Sequence, residues 1–266
     1  MKNILQVKNL TKRFDGLVAA NDVSFDVEQR QIHALIGPNG AGKTTTLSMI
    51  NGTLEPTSGT VTFNDEDITG MATYKVAQRG LGRTFQNIKL FGSLTVLENL
   101  MVGAMYKNNK GGVMHMLLHI GETNRMEKAM REHALEVVNQ IGMYNLKDEH
   151  AENLAYGRQK VLELGRALMG NPRMILLDEP AAGLNPAERA SFVKLLQQVY
   201  EQGVDLFLIE HNMDVVMNIS QKITVLNFGQ KIAEGTPSEI QKNPEVIRAY
   251  LGDRYKAIDR KVGKGV

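Results

Sequence analysis

Eight consecutive residues, Gly37-Pro38-Asn39-Gly40-Ala41-Gly42-Lys43-Thr44, satisfy the pattern G-x-x-x-x-G-K-[ST]. Such a run cradles phosphate. Glycines let the backbone curl until successive N–H groups face phosphate oxygens, and a helix starting at the end of the loop adds partial positive charge. Lys43 then reaches the β- and γ-phosphates. Thr44 offers a hydroxyl to Mg²⁺, a metal that keeps most of its waters and takes only one or two protein ligands. Thr45 extends the same phosphate-binding run. A second constellation, Asp178-Glu179, closes the apolar stretch 174–177. Carboxylates placed there lie at the C-terminal edge of a sheet, where ligands of open α/β folds bind. Asp178 is suited to hold Mg²⁺ through water, and Glu179 to orient or deprotonate the water that attacks a γ-phosphate. Three further polar residues stand at the ends of predicted segments: Gln86 after 81–85, His211 after 204–210, and Asn185 before Pro186. On spacing alone, Asn185 is a helix N-cap followed by proline at the first helical position, and Gln86 and His211 read as satisfied surface residues.

These residues need particular elements to hold them. Residues 4–10, 22–27 and 32–36 carry alternating or continuous apolar residues and are expected to be strands, with Asp15-Gly16 as turn chemistry. Residues 43–51 follow as a short helix ended by Gly52, then a strand at 60–63. The glycine-rich run therefore sits between a strand and a helix, the setting that phosphate binding demands. Thr95-Val96-Leu97-Glu98 fits a capping box, opening a helix with apolar Leu97, Leu100 and Met101 that residues 107–112 are expected to break. Helices are expected over 122–141, with Leu135, Val138 and Ile141 on one face, and over 158–169. From Met174 the chain alternates strand 174–178, helix 186–201, strand 204–210, helix 213–220 and strand 222–227, the order of a parallel, doubly wound sheet. Leu176-Leu177 and 206–209 are apolar without alternation, which fits central strands buried on both faces. The polar, basic stretch 253–266 reads as a frayed tail.

The composition narrows the remaining chemistry. With 266 residues, 42% hydrophobic and 23% charged, the chain can build a real core. It has no Cys, which removes disulfides, Cys-based metal sites and thiol nucleophiles. A net charge of +2 is too near neutral for a broad nucleic-acid footprint, so no nucleic acid is expected as partner. The start lacks an apolar stretch followed by a small-residue cleavage site, and the longest apolar runs fall far short of the ~20 residues of a bilayer span. A cytoplasmic location is expected.

Taken together, the residues resemble the ATP-binding subunits of ABC transporters over about 5–252. The resemblance implies an α/β, P-loop NTPase fold with a mixed sheet core, an N-terminal antiparallel β-region and an inserted helical subdomain at about 87–160. The cassette would span 1–254, with a short basic tail at 255–266. It implies that Phe14 stacks on adenine, that Gln86 couples the metal to the membrane partner, and that His211 contacts the γ-phosphate. Leu154-Ala155-Tyr156-Gly157-Arg158-Gln159 stands where the family carries Leu-Ser-Gly-Gly-Gln, so the usual serine hydroxyl is missing. A backbone N–H array before a helix beginning near Arg158 remains able to bind an anion. The segments 83–87, 95–99, 181–186 and 243–252, with Ala155-Tyr156-Gly157, are similar to the ATPases of branched-chain amino acid importers. Arg158 and Lys160 are less familiar there; an Arg in place of Lys160 would make a bidentate contact that Lys cannot.

The resemblance implies a Mg²⁺-dependent ATPase on the cytoplasmic face of the cell membrane, bound peripherally to integral permease subunits. It would act with a second ATP-binding subunit, related or identical, and indirectly with a substrate-binding protein. Two subunits would sandwich each ATP between residues 37–45 of one and Ala155, Tyr156 and Gly157 of the other. Met101, Met105, Met114 and Met116 fit either a groove for a permease helix or ordinary core packing. The rivals are a soluble ABC ATPase, a P-loop kinase and a lipopolysaccharide-exporting ATPase. A single phosphate loop without sustained heptads, no Arg-rich lid, and the Ala-Tyr-Gly turn weigh against the three in turn.

Overall fold

The computed structural model describes residues 2–108 and 120–251. The described residues fall into two compact units, one built from the chain up to residue 72 and from 205 onward, the other from residues 73–204.

In the first unit, β1 (Asn3–Phe14) and β2 (Leu17–Glu28) form a hairpin closed by Asp15-Gly16, with Asp15 at φ 44° and Phe14 opposite Leu17. β4 (Ser58–Phe63) joins the free side of β1 and β5 (Glu66–Asp67) joins β4, all antiparallel. The second sheet of this unit is centred on β3 (Ile32–Ile36), which pairs in parallel with β8 (Asp205–Ile209) on one side and β9 (Lys222–Asn227) on the other. Every residue of β3 and β8 is buried, the physical reason their apolar runs do not alternate. β10 (Gln230–Gly235) turns back antiparallel along β9, making the sheet mixed. The helices of this unit are α1 (Lys43–Ile50), α7 (Met213–Ile219), α8 (Pro237–Lys242) and α9 (Pro244–Leu251).

His33 lies in the middle of this core. Its ring packs against those of Phe25 and Phe207, with centroids 5.8 and 5.6 Å away, and its Nε2 meets Thr224 Oγ1 at 2.9 Å. Burial pushes the imidazole down to about 3, against a smaller upward pull from Glu234 and with Lys222 and Lys231 adding to the fall. Below the unfolded value near 6.5 the unfolded chain binds this proton and the folded chain does not. Stability should therefore drop by about 1.4 kcal/mol per pH unit from pH 6 toward 3 on this group's account. Urea unfolding of His33→Gln, whose amide keeps a partner for Thr224, should show a visibly shallower acid slope; an unchanged slope would assign acid loss elsewhere.

The second unit contains α2 (Thr73–Gln78), β6 (Leu81–Arg83), α3 (Val96–Asn108), α4 (Ile120–Gln140), α5 (Tyr156–Leu168), β7 (Met174–Asp178) and α6 (Pro186–Glu201), with short 3-10 turns at Tyr144–Leu146 and Ala151–Asn153. β6 runs parallel to β7, with Arg83 level with Leu176. α3 and α5 approach closely at glycines: a Cβ on Gly103 would meet the Arg166 carbonyl oxygen at 2.6 Å, and one on Gly165 would meet Leu100 at 2.9 Å. Both expected N-caps are in place. Thr95 and Glu98 bond reciprocally at 2.8 and 3.2 Å, and Asn185 and Glu188 close a second capping box. The loop before α3 is held by one fully buried side chain. Asn99 accepts from the Phe91 N–H at 3.0 Å and donates to the carbonyls of Phe91, Leu94 and Thr95 at 3.0 to 3.1 Å.

Several expectations need correction. α3 continues through Lys107 and Asn108, because lysine is a good helix former and asparagine a tolerable one at an end; the rest of 107–112 lies outside the described residues. The buried stripe of α4 is Ala134, Val137 and Val138, continued by Ile141 just past its end, leaving Leu135 half-buried at its margin. α5 begins at Tyr156, two residues before the expected start. Met101 is half-buried; Met114, Met116 and the Met105 side chain lie outside the described residues, as does the tail from 252. Among the described residues, no helix is long and apolar enough to cross a membrane.

Candidate functional site

In the first unit, residues 37–42 turn a buried strand into a helix in six steps. Gly40 and Gly42 take φ 79° and 93°. A Cβ on Gly37 would lie 2.2 Å from the Leu226 carbonyl oxygen, and one on Gly42 would lie 2.4 Å from that of Ala19. Only glycine allows those backbones to approach. The loop is tied by the Ala41 N–H to Pro38 O and by the Gly229 N–H to Ala41 O, each at 3.1 Å. Lys43 is buried, and its Nζ donates to the carbonyls of Gly37 at 2.7 Å and Pro38 at 2.9 Å. Thr44 and Thr45 occupy the first turn of α1, Asn39 and Gly40 the exposed crest of the loop. No side chain caps α1, and its first bond runs from the Thr46 N–H to Gly42 O at 2.9 Å. The preceding N–H groups are those a helix start directs outward, so this end favours an anion.

Two other expected residues stand in the same unit. Phe14 ends β1 with its ring 44% exposed and Lys12 Nζ 5.2 Å from the centroid. His211 follows β8, exposed; its N–H and that of Asn212 both donate to the buried carboxylate of Glu210 at 3.1 Å, which fixes the backbone there.

The second unit carries the carboxylates. Asp178, 3% exposed, closes β7, and Arg83 at the end of β6 donates to its Oδ2 at 3.1 Å. Burial raises the Asp178 carboxyl, Arg83 pulls it back, and neighbouring Glu179 raises it further. The Arg83 guanidinium lies 5.1 Å from the Phe85 ring centroid. Glu179 has φ 47°, a left-handed conformation unusual for a residue with a side chain. Its Oε2 accepts from Gln86 Nε2 at 3.0 Å. The structure thus joins Gln86 to Glu179, 93 residues apart in sequence. The hydroxyl of Thr44, the amide oxygen of Gln86 and the carboxylate of Asp178 are hard oxygen donors of the kind Mg²⁺ prefers. Among the described residues no cluster of three His, Cys, Asp or Glu is built for a metal.

Ala155, Tyr156 and Gly157 form the N-terminal turn of α5, with Ala155 as an N-cap that offers no side-chain bond. Arg158 is exposed and its N–H is already donated to Ala155 O at 2.8 Å. The Tyr156 and Gly157 N–H groups belong to the first turn of the helix, which has no intrahelical acceptors to offer them. This turn packs against 183–188: a Cβ on Gly157 would meet Glu188 Oε1 at 2.8 Å, and Tyr156 Cε1 fills the place of one on Gly183. Lys160, left open from sequence, is buried and donates to the Gln86 carbonyl at 3.1 Å. Arg83 and Glu163 were not foreseen; the only sequence signal was charge on positions that periodicity assigns to the core.

Comparison with known proteins gives consistent findings. The ABC transporter family matches residues 20–182, and the branched-chain amino acid ATP-binding cassette transporter family matches residues 230–256. The chain is 42% identical over 251 residues to the high-affinity branched-chain amino acid transport ATP-binding protein BraF of Pseudomonas aeruginosa, covering 94% of this chain and 98% of that one. It is 41% identical to the corresponding protein LivG of Escherichia coli over the same shares. A crystal structure of the ADP conformation of an ATP-binding cassette of an ABC transporter superposes with a TM-score of 0.82 at 32% identity, covering 95% of this chain and all of that one.

Proposed function

Because the chain belongs to the ABC transporter family as one of its ATP-hydrolysing subunits, we propose that it powers the import of branched-chain or related amino acids. The observation that carries this reading is the 42% identity along almost the whole chain to a branched-chain amino acid transport ATP-binding protein, joined to the match of residues 230–256 to the branched-chain amino acid ATP-binding cassette transporter family. The lower identity to a lipopolysaccharide export ATP-binding protein, 32% over 254 residues, weighs against lipopolysaccharide export.

In this reading residues 1–254 are the cassette, with the helical subdomain at about 87–160 inserted. Residues 37–45 hold the triphosphate, Lys43 exchanging carbonyl partners for phosphate oxygens. Phe14 stacks on the adenine. Thr44, Gln86 and Asp178 hold Mg²⁺, which when bound neutralises phosphate charge. Glu179 takes the proton from the attacking water, and His211 contacts the γ-phosphate. Ala155, Tyr156 and Gly157 meet the ATP of a second cassette, of this or a related chain. Closure around two ATP molecules then shifts the permeases between conformations, as long as ATP binds the closed pair more tightly than the open one. The subunit sits peripherally at the cytoplasmic face, and a substrate-binding protein delivers the cargo on the far side.

Gentle detergent extraction of the tagged chain from its source membranes tests this. Two permeases and a second, related ATPase should copurify. Recovery with one ATPase type and lipid-handling partners would point to export, and recovery with ribosomes or DNA and no membrane protein would overturn the transporter assignment of this chain.

A further inference from the structure

Lys160, Glu163 and Arg166 recur at a spacing of three along α5, which stacks them on one side of the helix. All three grip one short stretch of backbone. Lys160 Nζ donates to the Gln86 carbonyl at 3.1 Å, the Glu163 carboxylate accepts from the Phe85 N–H at 3.2 Å and from that of Lys89, and Arg166 donates to the Lys89 carbonyl. The Arg166 guanidinium also lies 5.3 Å from the Phe91 ring centroid.

Two of these charges are deep. Lys160 is 2% exposed and Glu163 6%. Taking charges out of water is costly, and well-packed apolar residues of similar volume often stabilise a core as well or better. Simple attachment of a loop to a helix does not call for a buried ammonium and carboxylate. What the charged pair adds is direction: besides the Lys89 N–H held by Glu163, an anion meets the N–H and a cation the carbonyl of two adjacent residues of the loop. The second of those residues is Gln86, whose side chain donates to Glu179 at 3.0 Å. The other end of α5 is the Ala155–Gly157 turn.

We infer that Lys160 and Glu163 are positioning residues for hydrolysis: they fix the backbone of Phe85 and Gln86 to α5, so that the Gln86–Glu179 contact and the Ala155–Gly157 turn move as one body. This rests on the roles given above to Gln86 and Glu179.

Lys160→Met keeps the stem and removes the donor. In the full-length chain, hydrogen exchange of amides 85–89 should accelerate at least tenfold, kcat for ATP should fall about tenfold, and affinity for a fluorescent ATP analogue should stay within twofold. Lys160→Arg should restore both exchange protection and kcat. Glu163→Gln, whose NH₂ replaces one of the two oxygens offered to the Phe85 and Lys89 N–H groups, should lower kcat in the same direction and serves if Lys160→Met does not fold. Unchanged exchange and kcat in these variants would overturn the inference. So would a joint fall of kcat, affinity and melting temperature that arginine does not rescue, the mark of a purely structural pair. Gln86→Ala separates the premises. Full-rate hydrolysis by it would remove the role of Gln86 and the inference with it, whereas slow Gln86→Ala beside full-rate Lys160→Met would sink the ladder alone.

Discussion

Glu179→Gln should bind ATP as the parent does, hydrolyse it about a thousandfold more slowly, and accumulate as an ATP-filled pair of cassettes. The magnitude is that of a positioned base in proton transfer. Glutamine matches glutamate in shape and keeps an oxygen for the Gln86 amide to donate to, so the contact now 3.0 Å long survives while the proton acceptor is lost. The backbone argument runs the same way. Glu179 holds φ 47°, which costs on the order of 1–3 kcal/mol for a residue with a Cβ and lifts the side chain out of the strand direction followed by Asp178. Glutamine bears that strain equally, so the comparison isolates chemistry. Single-turnover hydrolysis and size-exclusion chromatography with ATP read the two halves. Ordinary turnover in the variant would remove Glu179 from its role.

The second large effect belongs to Gly37. Alanine there would drive its Cβ to 2.2 Å from the Leu226 carbonyl oxygen and 3.0 Å from the Ala41 Cβ, and the obstacle is backbone of β9 that cannot swing aside. The loop must shift, and with it the Gly37 carbonyl that helps hold Lys43 Nζ. Overpacking of this kind costs roughly 1–3 kcal/mol. Borne by the nucleotide-competent loop, it should weaken binding about a hundredfold at the upper end of that range. Gly40→Ala is the control. Its Cβ would meet nothing within 4 Å, and only the φ of 79° opposes it, so its loss should be about fivefold. Titration with a fluorescent nucleotide ranks the two; equal affinities would show that the approach to Leu226 does not shape the loop.

Much of this was legible in the sequence for local reasons. The glycine run, Thr95 with Glu98, and Asn185 with Pro186 act within a few residues, so spacing alone carries them. β7 and β8 announced themselves because strands buried on both faces need no polar alternation. The missed pieces have non-local or atypical causes. β10 reads Gln-Lys-Ile-Ala-Glu-Gly, without a buried face, and is set by a turn through Phe228 and Gly229 at φ 45° and 77°, where phenylalanine is a poor signal of a left-handed residue. The early start of α5 escaped because Ala155 caps it with no side chain. Nothing in the period of α5 could tell that Lys160 meets a carbonyl 74 residues away, or that Arg83 would find Asp178.

Asn99 has a consequence of another kind. The path of residues 91–95 hangs on one amide group, whose NH₂ faces three carbonyl oxygens. Aspartate there would fill the same volume and differ by a single atom, yet it would set a carboxylate oxygen, with no proton to give, against all three. Spontaneous deamidation makes that same exchange without any change in the gene. Deamidation at Asn99 would therefore unmake the loop at a site that no measure of size or hydrophobicity would single out.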